Sequence, residues 1–288
     1  MISAQNQQLP EWVRNIFIWY GQEQISENEL LNAIKYLIDI QIISVEYSTS
    51  FKDEGDFIAD YIPAKNYKYK VVESVIKDSK AGESLARNLN DELKLPWDVK
   101  ITHAECGETN AFYIPKTHEI MMCYELLEYF YDFYQSIGFS EYDITAGTLG
   151  AYEFIFFHEL GHALIHSYDL PVTGKEENAV DQLATLFLLS LNKDISISAI
   201  SMFFLAEGIQ KIEVGQLKFW DEHNFDLQRF YDTLCLSYGK MKLENNKMKP
   251  SPLLPKERAD RCPAEFEKIS DSWDTLLQPY MKYRTFSG

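Results

Sequence analysis

The segment FIFFHELGHALIH, residues 154–166, constrains this chain more than any other. Phe154, Ile155, Phe156, Phe157, Ala163, Leu164 and Ile165 surround the run His158-Glu159-Leu160-Gly161-His162. An apolar stretch with so little polar face predicts a core-buried helix, over about 147–167. Residues four apart share a helix face, so His158 and His162 stand one turn apart and can reach one metal ion. Imidazole suits zinc, and a catalytic zinc keeps one position open for water. Glu159 lies about 100° further round the helix, beside that position, where a carboxylate can act as general base. H-E-x-x-H is short enough to arise by chance, and the alternative is a buried helix with two satisfied histidines. Two unpartnered histidines in such a helix would be costly. Gly161 inside the helix also needs a packing or functional reason.

A second constellation follows. Glu177 and Asp181 are four apart in the run Glu176-Glu177-Asn178-Ala179-Val180-Asp181, on a helix expected from Glu176 to Leu191. H-E-x-x-H followed by E-x-x-x-D resembles the gluzincins, the thermolysin-like metallopeptidases. The resemblance implies that Glu177 is the third zinc ligand and that Asp181 orients His158 through its non-metal nitrogen. Glu176 reads as an exposed carboxylate at a helix N-terminus, favoured there by the helix dipole. His166 is one turn too far for the ligand set and reads as structural or partly exposed. The metzincin pattern is absent: Ile165 stands where it needs glycine, and Tyr168 where it needs histidine.

Further on, His223 precedes Arg229 by six residues. That spacing resembles the CAAX-prenyl-protease-like gluzincins, with Asn224 where that group usually has proline. The resemblance makes His223 a candidate to stabilise an oxyanion, and Arg229 a support for nearby carboxylates or substrate. A loop histidine and a surface ion pair are the plainer alternative.

Residues from about 70 to 270 resemble one family of mostly secreted bacterial proteins described only as metallopeptidases. The resemblance is carried by Cys106-Gly107, Asn110-Ala111-Phe112-Tyr113, Pro115 and Cys123-Tyr124-Glu125-Leu126. It continues through His158–Leu164, Leu170-Pro171, Gly174, Glu176-Glu177, Ala179, Asp181-Gln182, Asp221-Glu222-His223, Gln228–Tyr231, Arg258-Ala259 and Arg261-Cys262. It implies an α+β zincin-like fold, with a small mixed sheet, an active-site helix and further helices. It implies no substrate. Zincins receive peptide as an added strand on a sheet edge. Asn110–Tyr113 or Glu119–Cys123 is the expected edge, with Asn110 and Ala111 as candidate substrate contacts.

Around this core the chain reads as a small helical module (1–45), a polar linker (46–65) and a zincin-like domain (66–288). The module begins with Pro10, Trp12, Ile16, Trp19 and Tyr20 at helical spacing. Ser26 and Glu29 then form a capping box ahead of Leu30, Ile34, Leu37 and Ile38. Its PEWVRN…ELLNAIKYLIDIQII pattern resembles Trp-containing helical modules of extracytoplasmic archaeal proteins. Tyr67–Glu73 alternates as a strand would, and Val75–Leu93 reads as a helix. Val99–Ala104, Asn110–Ile114 and Glu119–Cys123 read as strands, the last two forming a hairpin. Helices are expected over Tyr124–Ile137, 195–212, 223–238 and 256–269, and the polar stretch Gly138–Thr148 reads as a lead-in to the zinc helix.

The sequence has 288 residues, 46% of them hydrophobic, and a net charge of −17. Such an acidic body repels phosphates, which argues against nucleic acid as a partner. No apolar run approaches the roughly 18 residues of a membrane span. The start, MISAQNQQLPEW, shows no leader pattern. The four cysteines, Cys106, Cys123, Cys235 and Cys262, are either buried thiols or two disulfides, with three possible pairings. Local pairing, 106 with 123 and 235 with 262, is favoured because each pair brackets one segment. Disulfides and the N-terminal module together suggest an extracytoplasmic location. The expected function is zinc-dependent peptide-bond hydrolysis with one zinc per chain, by an endopeptidase acting on peptide or protein. An aminopeptidase would need Glu105, Glu108 or Glu125 to grip the free amino group. A non-catalytic zinc-containing surface protein is the other alternative.

Overall fold

The computed structural model describes residues 11–39, 51–191, 193–213 and 226–282. The chain divides into two compact units, residues 1–50 and 51–288. In the first, α1 (Glu11–Gly21) and α2 (Glu27–Asp39) form a hairpin. The capping box is present: Glu29 N–H donates to Ser26 Oγ, and the Glu29 carboxylate accepts from Ser26 N–H at 2.8 Å.

The second unit opens with a departure from the expected linker. Residues 57–61 form β1 (Phe57–Tyr61), which pairs in parallel with β2 (Val99–Ala104). Gly55 and Pro63 bracket a strand rather than fill a loop. Phe57 is buried, and its backbone is held at both polar groups by the Asn90 side chain, at 2.7 and 3.0 Å. The expected strand at Tyr67–Glu73 is instead the start of α3 (Tyr67–Ser79). Asn66 caps it by accepting from Lys68 N–H, and Tyr69, Val72 and Ile76 pack one helical face onto Tyr124 and Leu127. Alternation over a few residues could not exclude this 3.6-residue period. The helix expected from Val75 to Leu93 is broken at Lys80 (φ 53°), where α3 ends and α4 (Ala81–Glu92) begins.

β3 (Ala111–Ile114) and β4 (Glu119–Cys123) form the expected hairpin. The sheet order is β1-β2-β4-β3, parallel except for the antiparallel edge strand β3. Next come α5 (Tyr124–Ser136), α6 (Glu141–Tyr168), α7 (Glu176–Ser190), α8 (Asp194–Glu213) and α9 (Asp226–Glu244). The short α10 (Lys256–Ala259) and α11 (Cys262–Leu277) complete the helices, with Pro263 in the first turn of α11. The H-E-x-x-H helix starts earlier than expected, because Ser140 caps α6: its Oγ accepts from Asp143 N–H. Phe154, Phe157, Leu160, Ala163 and Leu164 of α6 are fully or almost fully buried in the main core.

Cys106 pairs with Cys123 and Cys235 with Cys262, with Cα–Cα separations of 5.5 and 5.1 Å. The first bridge ties the loop after β2 to the end of β4, and the second ties α9 to α11. The fold is therefore α+β, mostly helical, with one small mixed sheet. No helix among the described residues is long and apolar enough to cross a membrane.

Candidate metal centre

Gly161 explains how α6 and α7 come together. A Cβ there would lie 2.8 Å from Val180 Cβ, so only glycine lets the two helices approach this closely. Val180 sits in the α7 turn that bears Glu177 and Asp181, so this contact brings both carboxylates to the histidine face of α6.

His158 Nε2 lies 3.2 Å from one Glu177 carboxylate oxygen, and His162 Nε2 lies 3.4 Å from the other. One donor atom from each of these three side chains lies within 4.8 Å of the others, close enough to hold one metal ion. On the far side of each ring, His158 Nδ1 is 2.7 Å from Asp181 Oδ1 and His162 Nδ1 is 2.6 Å from Glu176 Oε1. An ionised carboxylate only accepts, so both Nδ1 atoms carry protons. In the neutral rings each Nε2 then turns a lone pair toward Glu177, an arrangement that calls for a cation between them. Ligands about 2.0–2.2 Å from a tetrahedral zinc are roughly 3.3–3.5 Å apart, close to the two observed separations. The donor set therefore fits the metal. Without one, a proton takes its place. Burial opposes a charged His158, but Asp181 and Glu177 outweigh it and raise its pKa to about 9. His162 is raised as well, against burial, by Glu177 and Glu176.

Arg229, from α9, closes the network. Its Nε and Nη2 donate to the two oxygens of Asp181, both at 2.7 Å, and its guanidinium lies over the Phe204 ring at 4.1 Å. Burial would raise the Asp181 pKa, but the Arg229 charge and the His158 bond hold it far below the usual carboxylate range. Such bidentate pairs are the strong form of charge-assisted hydrogen bond.

Glu159 is buried, and its Oε2 accepts from the backbone N–H of Tyr113 on the edge strand β3, at 2.8 Å. One hydrogen bond thus joins the sheet edge to the carboxylate next to the histidine pair. Asn110 immediately precedes this strand, and its Oδ1 accepts from Ala111 N–H. His166 is exposed, with Nδ1 2.9 Å from the Tyr113 hydroxyl, outside the ligand group. His223 lies outside the described residues.

Sequence reasoning missed two members of the site. Glu176 is not only an exposed helix-terminal carboxylate; it holds His162. The Tyr113 N–H carries no sequence signal, because it is main chain. A second cluster, Cys106, Cys123 and Glu125, is not open to metal: its sulfurs are joined in a disulfide. Glu125 accepts from the N–H groups of Cys106 and Gly107, and Glu105 from those of Lys65 and Asn66.

No curated protein and no solved structure gives a significant match to the chain. A family model does match, over residues 61–277, and it includes every element that builds this centre. By that match the chain belongs to the DUF4344 family, whose description is "Putative metallopeptidase".

Proposed function

We propose that this protein is a zinc-dependent endopeptidase of gluzincin type with a zincin-like fold. One observation carries the reading: His158, His162 and Glu177 converge while both imidazole Nδ1 atoms are already held by carboxylates. His158 Nε2, His162 Nε2 and the Glu177 carboxylate would hold one zinc ion per chain. Bound there, zinc would supply Lewis acidity, acidifying water and polarising a carbonyl.

The remaining work falls to the chain. Glu159 is the general base: Tyr113 N–H fixes its Oε2, and the carboxylate takes the water's proton and hands it to the leaving amine. Asp181 holds the His158 ring, and Arg229 holds Asp181. His223 is the candidate donor to the developing oxyanion. The peptide lies along the edge strand β3 as an added strand, with Asn110 and Ala111 at its border. Glu105 and Glu125 are spent on backbone N–H groups, which leaves the exposed Glu108 alone of the three candidate grips and favours an endopeptidase over an enzyme that grips a free amino terminus. Two disulfides favour an oxidising, extracytoplasmic setting. The peptidase belongs to the unit beginning at residue 51, and the α1–α2 hairpin belongs to a separate N-terminal module.

The test is metal content by plasma emission on wild type, Glu177→Ala and Glu159→Gln, purified without added metal, beside hydrolysis of N-terminally blocked peptides. Wild type should carry one zinc, Glu177→Ala should lose it, and Glu159→Gln should keep it without turnover. Zinc retained by Glu177→Ala moves the third ligand elsewhere, and wild-type turnover in Glu159→Gln removes the base assignment.

A further inference from the structure

We infer that Glu176 is the positioning residue for His162, giving the second ligand histidine a charged partner of its own. The inference rests on the metal-centre reading and goes beyond it: H-E-x-x-H and E-x-x-x-D leave Glu176 without a role. Its Oε1 stands 2.6 Å from His162 Nδ1. Consecutive residues on a helix point about 100° apart, which lets Glu177 face Nε2 while Glu176 reaches round to Nδ1 of the same ring. The Glu176 side chain is 46% exposed and that of His162 18%. Burial does not force this contact, since the carboxylate could equally be solvated. That it lies on the imidazole is what a ring-orienting role requires.

Charge separates this partner from a plain acceptor. Asp181, which holds His158, is compensated by its two bonds to Arg229. A neutral amide could orient His162 as well as a carboxylate could. A carboxylate also pulls on the Nδ1 proton and makes Nε2 a more electron-rich donor.

Three variants separate this role from the alternatives. Zinc affinity is measured by chelator competition at one pH, with the melting temperature of each metal-free variant as the folding control. Glu176→Ala should bind zinc on the order of 10- to 100-fold more weakly than wild type. Glu176→Asp keeps a negative charge at the helix N-terminus but is one methylene shorter, and should lose as much as the alanine variant. Glu176→Gln keeps an acceptor without the charge and should recover part of the affinity while staying below wild type; wild-type affinity in this variant alone would make the partner a plain acceptor and overturn the charged role. In the metal-free protein, the exchange-protected His162 Nδ1 proton should be visible by NMR in wild type and absent in the alanine and aspartate variants. Wild-type affinity in all three makes Glu176 a surface carboxylate and overturns the inference. Wild-type affinity in the aspartate variant alone assigns the effect to the helix dipole, which overturns it as well. A wild-type protein that takes up no zinc overturns the metal-centre reading and this inference with it.

Discussion

Gly161→Ala tests how the two helices set the site. A Cβ at 161 would meet Val180 Cβ and Cγ1 at 2.8 Å and Val180 Cα at 3.2 Å. Carbon atoms pack at about 3.5–4.0 Å, so α7 must retreat by roughly 0.7–1 Å at Val180. Glu177 and Asp181 share that turn and go with it. Two effects oppose each other in stability. Alanine is favoured over glycine in a helix by about 1 kcal/mol, while overpacking costs about 1–3 kcal/mol. The net loss is at most about 2 kcal/mol, or about 4–8 °C in melting temperature for a unit of this size. Metal binding should suffer more, because ligand distances are tolerated only within about 0.2 Å. A zinc affinity lowered at least about tenfold is expected, the scale seen when ligand orientation is lost. The assay is thermal melting of the metal-free protein together with chelator competition. Gly174→Ala is the control, since a Cβ there meets nothing within 4 Å. A variant that melts earlier yet binds zinc like wild type would refute the reasoning, because α7 would then not be what places Glu177.

His103, on β2, is buried against Tyr61 and Tyr152, and burial pushes its pKa down to about 4. The unfolded chain takes up that proton near pH 6.5 and the folded chain only near 4, so this stability is complete above 6.5 and lost as pH falls through that window. The loss amounts to roughly 3 kcal/mol, and His103→Gln should flatten urea-unfolding stability between those values. A chain beginning at residue 51 should melt like the full protein. One beginning at 66 deletes β1 and leaves the β2 edge bare, so it should fail to give a cooperative melt; equal melting of the two would show that β1 is dispensable. Replacing both members of Cys106–Cys123, which closes a separation of 17 residues, should cost about 3 kcal/mol by loop-closure entropy, read as a lowered urea midpoint.

What could be read in the sequence was local. The H-E-x-x-H helix, the E-x-x-x-D helix, β2 and the β3–β4 hairpin each announce themselves within a few residues of their own chain. Where the reading failed, short-range pattern met a competing term. Tyr67–Glu73 alternates, but the Asn66 cap and the face formed by Tyr69, Val72 and Ile76 decide for a helix. The polar run before α6 hid a start signal that was present, Ser140 with Asp143 three residues on. β1 carries little pattern because it is a short edge strand with one buried end, and its place is fixed by β2 and Asn90.

The site shows the same division more sharply. The candidate ligands share one helix face or one helix turn, so spacing finds them. What makes them usable comes from elsewhere in the chain: Arg229 from α9 compensates Asp181, and a main-chain N–H from β3 holds Glu159. An apolar helix can carry two imidazoles and a carboxylate only because α7 accepts from both Nδ1 atoms and β3 donates to Glu159, with α9 in turn compensating Asp181, since an unpaired buried charge would be prohibitive. Glu176 and Glu177 make the limit plain. They are neighbours of the same type in the same turn, and only the E-x-x-x-D resemblance, not their own local pattern, picks Glu177 for Nε2. The side of the ring each one meets is decided by how α7 lies on Gly161, which is why a single methyl group at 161 should disturb both.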